Sequence, residues 1–70
     1  MNRYVVNNNS THNPGWHHEV HTAQHANVLK IKDFIDLGLC SSGIEAKRKA
    51  KSYYKDADGC AICCPEAHEG

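Results

Sequence analysis

The sequence predicts a small α+β domain with a short antiparallel β-sheet, one amphipathic helix and a C-terminal cysteine knuckle. Three observations predict this class: short β-rich segments in the first half, a capped helical pattern after them, and closely spaced cysteines behind the helix. We expect the 70 residues to form one small zinc-binding domain, residues 1–70. A chain near this length buries only about 60% of its unfolded surface, so its core alone gives marginal stability. We therefore expect a staple, that is, a cross-link such as a metal ion or a disulfide, in addition to the core.

Two or three short strands are predicted. Tyr4–Val6 favours a first strand, and Trp16–Val20 a second strand that pairs antiparallel with the first, with Trp16 as a core anchor. The polar run 7–15 between them predicts a loop or wide turn. The spacing of apolar residues in 28–39 is ambiguous, and we place a short strand at Phe34–Leu37 there.

The helix is predicted over residues 43–55. Ser42 and Glu45 stand three residues apart and fit a capping box, in which each side chain satisfies a backbone N–H of the first turn. A narrow core-facing arc is formed by two small and two aromatic residues: Ala46, Ala50, Tyr53 and Tyr54. A basic stripe flanks this arc: Lys47, Arg48, Lys51 and Lys55. Asp58-Gly59 then predicts a turn that leads to Cys60.

Two pairs of metal-ligand residues lie on either side of the helix. His21 and His25 form a His-x3-His pair, and Cys60 and Cys63 form a Cys-x2-Cys pair that follows Gly59. Two thiolates and two neutral imidazoles complete a tetrahedron around Zn²⁺, and the two thiolate charges cancel the charge of the ion. The spacing therefore predicts one structural zinc ion, which would supply the staple that a core of this size needs.

The ligand set has alternatives. Cys64 adjoins Cys63, and Cys64 with His68 forms a Cys-x3-His pair that could combine differently with His25. The remaining histidines, His12, His17 and His18, are expected to lie outside the site, and Cys40 is expected to be a small core residue.

Disulfides and a membrane span are not expected. Three of the four cysteines lie within five residues of one another, which is a poor framework for stapling a fold. The longest apolar runs fall far short of the roughly 20 residues needed to cross a bilayer, and the N-terminal segment lacks the apolar stretch of a secretory signal. We expect reduced cysteines and a cytoplasmic location.

The order of these motifs resembles the Ada-type metal-binding domain of DNA methyl-phosphotriester repair proteins. The resemblance covers about residues 16–64 and rests on the His21/His25 pair, a helix with Ala46 and Ala50, and Gly59-Cys60-Ala-Ile-Cys63. It implies a small fold built around one structural zinc. In that family a zinc-bound thiolate of the first pair accepts the methyl group; His21 and His25 occupy the matching positions here, so methyl transfer is not implied.

The chain is also similar to a group of short uncharacterised bacterial proteins. Its matching segments are His18-Glu19-Val20-His21 and the stretch Gly59-Cys60-Ala-Ile-Cys63-Cys64-Pro65-Glu66-Ala67-His68. In that group cysteine stands in the places of His25 and Ala67. The resemblance implies that position 25 is a ligand position and that position 67 is dispensable.

These features predict a non-enzymatic zinc module that acts through its surface. A protein partner is the first expectation and nucleic acid the second, because the stripe Lys47, Arg48, Lys51 and Lys55 supplies cations although the net charge is zero. A zinc hydrolase would need His-Glu-x-x-His, which is absent, and an open coordination position. The alternative function is thiol redox or metal handling by the cluster Cys60, Cys63 and Cys64.

Overall fold

The computed structural model describes residues 1–9 and 17–69. These residues form an α+β fold, as the sequence predicts, with the following elements in order: β1 (Asn2–Asn7), β2 (Glu19–Thr22), α1 (Ala23–Val28), β3 (Phe34–Cys40), α2 (Gly43–Ala50), β4 (Asp58–Gly59) and a 3-10 turn (Pro65–Ala67). The predictions for Trp16 and His12 fall outside the described residues. Neither helix in the described ranges has the length and apolar character that crossing a bilayer requires.

The four strands form one mixed sheet in the order β3-β1-β2-β4. β1 lies in the middle and pairs antiparallel with both β2 and β3, while β4 pairs parallel with β2. The expected antiparallel sheet is therefore only partly right. The Asp58-Gly59 segment, predicted as a turn, becomes the edge strand: Asp58 N–H donates to the carbonyl of His18, and Cys60 N–H donates to the carbonyl of Val20.

The two faces of the sheet carry different helices. The main core lies between the sheet and α2, and its buried members are Tyr4, Val6, Val20, Leu37, Cys40, Ala46, Ala50, Ala57, Cys64 and Ala67. Cys40 is thus a core residue, as predicted. Side chains alternate along a strand, so Val5 and its partner His21 point to the opposite face. There α1 contacts β1 and β2 and contributes the buried Ala26.

A bulge in β3 changes which side chains share a face. Tyr4 is opposite Gly38 but Val5 is opposite Asp36, so Leu37 is an extra residue. Gly38 has a φ of +75°, a conformation that glycine adopts without a steric penalty. Beyond the bulge Leu39 is opposite Arg3. Arg3 and Val5 are two residues apart on β1, so their side chains lie on the same face of the sheet, the α1 side. Their partners on β3, Leu39 and Asp36, therefore lie on the α1 side as well.

Helix α2 begins as predicted but ends earlier. Ser42 is the N-cap and its hydroxyl accepts from Glu45 N–H, while the Glu45 carboxylate accepts from Ser41 N–H rather than from the N-cap itself. The last helical residue is Ala50, where the prediction extends to residue 55. Tyr54 still packs against the core, but Tyr53 is 57% exposed, so its predicted core position is wrong.

Helix α1 is not predicted by the sequence analysis. It is only six residues long, and its one buried residue, Ala26, gives no apolar periodicity. Thr22 caps it by accepting a hydrogen bond from His25 N–H at 3.2 Å. The helix therefore begins directly after β2 and fixes the position of His25.

Candidate metal centre

Two histidines and two cysteines come together on the α1 side of the sheet: His21, His25, Cys60 and Cys63. One ligand atom from each lies within 4.8 Å of all the others. His21 is on β2 and His25 is in the first turn of α1, so the His-x3-His pair spans a strand-to-helix junction. Cys60 follows β4, and a turn closed by Cys64 N–H to the carbonyl of Cys60 brings Cys63 back towards the sheet.

The distances within this group fit the edges of a coordination tetrahedron. The His21 Nδ1 to Cys63 Sγ distance is 3.7 Å, and the His25 Nδ1 to Cys60 Sγ distance is 3.8 Å. With bonds of about 2.3 Å to sulfur and 2.0–2.1 Å to nitrogen, a tetrahedral site has N···S edges of about 3.6 Å. These four residues could therefore hold one metal ion with small adjustments of their side chains.

The four side chains are buried or half-buried, and burial changes the protonation of two of them. His21 and Cys60 are buried, and His25 and Cys63 are half-buried. Burial, assisted by the neighbouring His25, lowers the pKa of His21 to about 4, so its imidazole is neutral and able to coordinate. Burial also raises the pKa of the Cys63 thiol, so a bound cation would have to displace its proton.

Glu19 lies behind His21, on the side away from the sulfurs. Its Oε1 is 3.8 Å from His21 Nε2, and its Oε2 is 3.9 Å from His17 Nε2. A ligating histidine commonly donates its second ring N–H to a carboxylate, directly or through water. At 3.8 Å the Glu19 carboxylate is beyond direct hydrogen-bond distance of His21, so it could orient the imidazole only through a bridging water or a small movement of its side chain. The sequence analysis does not identify this neighbour.

Cys64 and His68, the alternative ligands, are engaged elsewhere. The Cys64 side chain is fully buried in the α2-side core, against which Cys63 also packs. Its Sγ is 3.9 Å from Cys63 Sγ, but it is not part of the four-residue group. His68 Nδ1–H donates to the carbonyl of Gly59 at 2.9 Å.

Gly59 allows the cysteine segment to approach the 3-10 turn closely. A Cβ at this position would lie 2.6 Å from Ala67 Cβ and 2.8 Å from the carbonyl oxygen of Cys64. Both distances are too short for any larger residue without movement of the backbone. Close packing, and not a left-handed backbone conformation, is therefore the reason for glycine before Cys60.

Lys47 does not belong to an exposed basic stripe, contrary to the sequence prediction. Its side chain is buried against the C-terminal segment: Nζ donates to the carbonyl of Ala67 at 3.0 Å, is 3.1 Å from Asp58 Oδ1, and pairs with Glu69. The other three members of the stripe, Arg48, Lys51 and Lys55, are exposed. The amphipathic pattern cannot show this, because the partners of Lys47 come from a distant part of the chain.

Asp58 is the acidic centre of this buried polar cluster. Burial favours the neutral acid, but hydrogen bonds from Lys47 and from the backbone N–H groups of Glu69 and Gly59 outweigh it and lower the pKa of Asp58. The carboxylate also lies 3.7 Å from His17 Nε2. The cluster thus ties α2, β4 and the C-terminal segment together.

His18 has a structural role beside the C-terminal end of α2. Its ring stacks on Tyr54 with centroids 3.7 Å apart, and its Nδ1 is 2.8 Å from Asp56 Oδ1. His17 and His18 are outside the four-residue group, as predicted. None of the four cysteines, Cys40, Cys60, Cys63 and Cys64, forms a disulfide in this structure.

Comparisons with family models, curated proteins and solved structures found no match. The resemblances to the Ada-type domain and to the short bacterial proteins therefore stay predictions.

Proposed function

We propose that the protein is a non-enzymatic module that folds around one structural zinc ion and presents its surface to a partner. The observation that carries this proposal is the group His21, His25, Cys60 and Cys63, whose ligand atoms lie within 4.8 Å of one another. Two pairs that are distant in sequence converge there on one point. A cluster of this kind, half-buried and without a disulfide, is typical of a metal centre.

Zinc suits this donor set better than other common divalent ions. Thiolate and imidazole together favour Zn²⁺, whereas Mg²⁺ and Ca²⁺ prefer oxygen ligands. Two thiolates and two neutral imidazoles give a centre with no net charge, so burying it carries a small electrostatic cost. Four protein ligands leave no position for an activated water, which supports a structural and not a hydrolytic ion.

The proposed ion would join parts of the chain that share few other contacts on this face. His25 is on α1, which contributes one buried residue, and Cys60 and Cys63 both follow a two-residue strand. A structural zinc contributes about 10–16 kcal/mol of apparent binding free energy in small peptides. That exceeds what such short elements supply on their own.

The adjacent cysteines provide a matched pair for testing the zinc site. We expect Cys63→Ala to lose the metal and Cys64→Ala to keep one ion per chain, because Cys63 belongs to the four-residue group and Cys64 is buried in the core. Native mass spectrometry gives the stoichiometry. Substitution by Co²⁺ then gives the absorption of a tetrahedral site with two sulfur ligands. Equal metal content in the two variants, or none in the unmodified protein, would contradict the proposal.

The proposed partner surface is the exposed part of α2 and the turn after it. Arg48 and Lys51 line a groove of about 200 Å³ together with Ile44, Lys47 and Glu69, and Ile44 is 48% exposed. A groove with cations, an acidic residue and an apolar side chain suits an acidic polypeptide better than a uniformly charged polyanion. We therefore favour a protein partner over nucleic acid.

A charge-reversal experiment separates the two kinds of partner. An acidic peptide containing leucine and a single-stranded oligonucleotide of equal charge are titrated against the protein at several salt concentrations. We expect the peptide to bind more tightly and Arg48→Glu with Lys51→Glu to weaken it at least tenfold, with Lys30→Glu and Lys32→Glu as the matched control. Tighter binding of the oligonucleotide with a steep salt dependence would favour nucleic acid instead.

A further inference from the structure

The sheet face that carries α1 is only partly covered. Beside the helix lies a cavity of about 180 Å³ between α1, β1 and β3. Its apolar lining includes Val5, Ala26, Ile31 and Phe34, while Arg3 and Asp36 stand at one end. A cavity of this size and lining can accept one aliphatic side chain.

An exposed leucine lies next to this cavity. The bulge at Leu37 places Leu39 on the same face as Asp36, and Leu39 is the strand partner of Arg3. Its side chain is 55% exposed. The cavity and the projecting leucine are therefore neighbours on one face, separated by the ends of the Arg3 and Asp36 side chains.

The residues between them form an exposed ion pair. Arg3 Nη1 is 3.0 Å from Asp36 Oδ2, and the two side chains are 54% and 51% exposed. A pair of opposite charges is complementary to a second copy of itself turned by a two-fold rotation, since each charge then meets its opposite. A two-fold arrangement in which the leucine of each copy also lies over the cavity of the other would use all three features of this face.

The free edge of the sheet is less suited to association than this face. Lys49 Nζ donates to the carbonyl of Leu39 at 3.4 Å, so one acceptor of the edge strand is already used. The bulge and the positive φ of Gly38 also interrupt a regular edge. Lysines and bulges at strand edges oppose pairing with another chain.

We propose that the protein forms a two-fold homodimer through the α1-side face, with Leu39 of each copy in the cavity lined by Val5 and Phe34 of the other. Arg3 and Asp36 of the two copies form a ring of four alternating charges at the axis. The same patch serves both copies, as a two-fold interface requires. This inference goes beyond the proposed function and uses a different surface from the α2 groove.

The first test is the mass in solution of the metal-loaded protein by analytical ultracentrifugation over a concentration series. We expect a monomer–dimer equilibrium that Leu39→Glu weakens at least tenfold. Ile44→Glu is the matched control, because Ile44 is similarly exposed but lies on α2, and it should leave the equilibrium unchanged. Metal content and circular dichroism, measured on each variant, separate a lost interface from a lost fold or a lost metal ion.

The ion pair gives a second, independent test. Arg3→Asp places like charges at the axis and should weaken dimerisation, whereas Arg3→Asp with Asp36→Arg restores alternating charges and should recover it. The proposal is overturned if the unmodified protein keeps a mass of 7.8 kDa up to about 1 mM. It is also overturned if Leu39→Glu and Ile44→Glu behave alike, or if the double charge exchange fails to recover what Arg3→Asp loses in a folded protein.

Discussion

Lys30 occupies a backbone conformation that favours glycine. Its φ is 59°, and it directly follows Leu29, the C-cap residue of α1. Lys30 N–H donates to the carbonyl of Asn27, and Ile31 N–H donates to the carbonyl of Ala26. This is the left-handed ending that commonly closes a helix. For a residue with a Cβ, this left-handed conformation costs about 1 kcal/mol or slightly more.

Replacing this lysine should therefore stabilise the protein. We expect Lys30→Gly to raise the free energy of unfolding by about 0.5–1 kcal/mol, since the steric relief exceeds the added entropy of the unfolded chain. Urea denaturation of the metal-loaded protein measures the change. Lys32→Gly is the control: Lys32 has no positive φ, so the same substitution there should be neutral or destabilising. A gain of equal size in both variants would show that the backbone conformation is not the cause.

At the scale of the elements, α2 depends on one buried cation. Lys47 donates to the carbonyl of Ala67 and pairs with the carboxylates of Asp58 and Glu69. We expect Lys47→Met to cost about 2–3 kcal/mol of stability, because it keeps the aliphatic stem but removes the ammonium group that pairs with the buried Asp58 carboxylate. Lys51→Met, on the exposed side of the same helix, should change stability by less than about 0.5 kcal/mol. Chemical denaturation distinguishes the two, and similar losses would contradict the buried role of Lys47.

Some helices and strands can be predicted from the local sequence and others cannot. The start of α2 is predictable because Ser42 and Glu45 form a local pattern, and β1 is predictable from three consecutive β-favouring residues. Helix α1 and strand β4 are too short to carry a periodic signal, and each is formed by its neighbours. Thr22 at the start of α1 is the only local sign of that helix, and threonine alone does not predict one.

For the candidate site, the sequence identifies the four residues but cannot choose between the adjacent thiols. His-x3-His and Cys-x2-Cys are short-range patterns that bring ligands together in many local structures. Which of the two thiols joins the histidines depends on the turn after Cys60, which places Cys63 Sγ 3.7 Å from His21 Nδ1 and buries Cys64 in the core. The same limit applies to Lys47, whose burial is set by Asp58 and Glu69.

For the whole molecule, removal of the metal should abolish the fold. The proposed zinc centre contributes about 10–16 kcal/mol, which is comparable to the entire stability of about 5–15 kcal/mol of a native domain. We expect a strong chelator to remove the cooperative unfolding transition and most of the ordered circular dichroism spectrum. Zn²⁺ should restore both and Mg²⁺ should restore neither. A spectrum unchanged by the chelator would contradict a structural role for the ion.

The order of the ligands along the chain has a consequence for biosynthesis. The ribosome synthesises β1, β2 and β3, both helices and the two imidazoles before it adds Cys60 and Cys63. The four ligands of the proposed ion are therefore together only after the cysteine turn has left the ribosome. The supply of metal would then control folding after synthesis, and a cell short of zinc would accumulate chains that are fully synthesised but not folded.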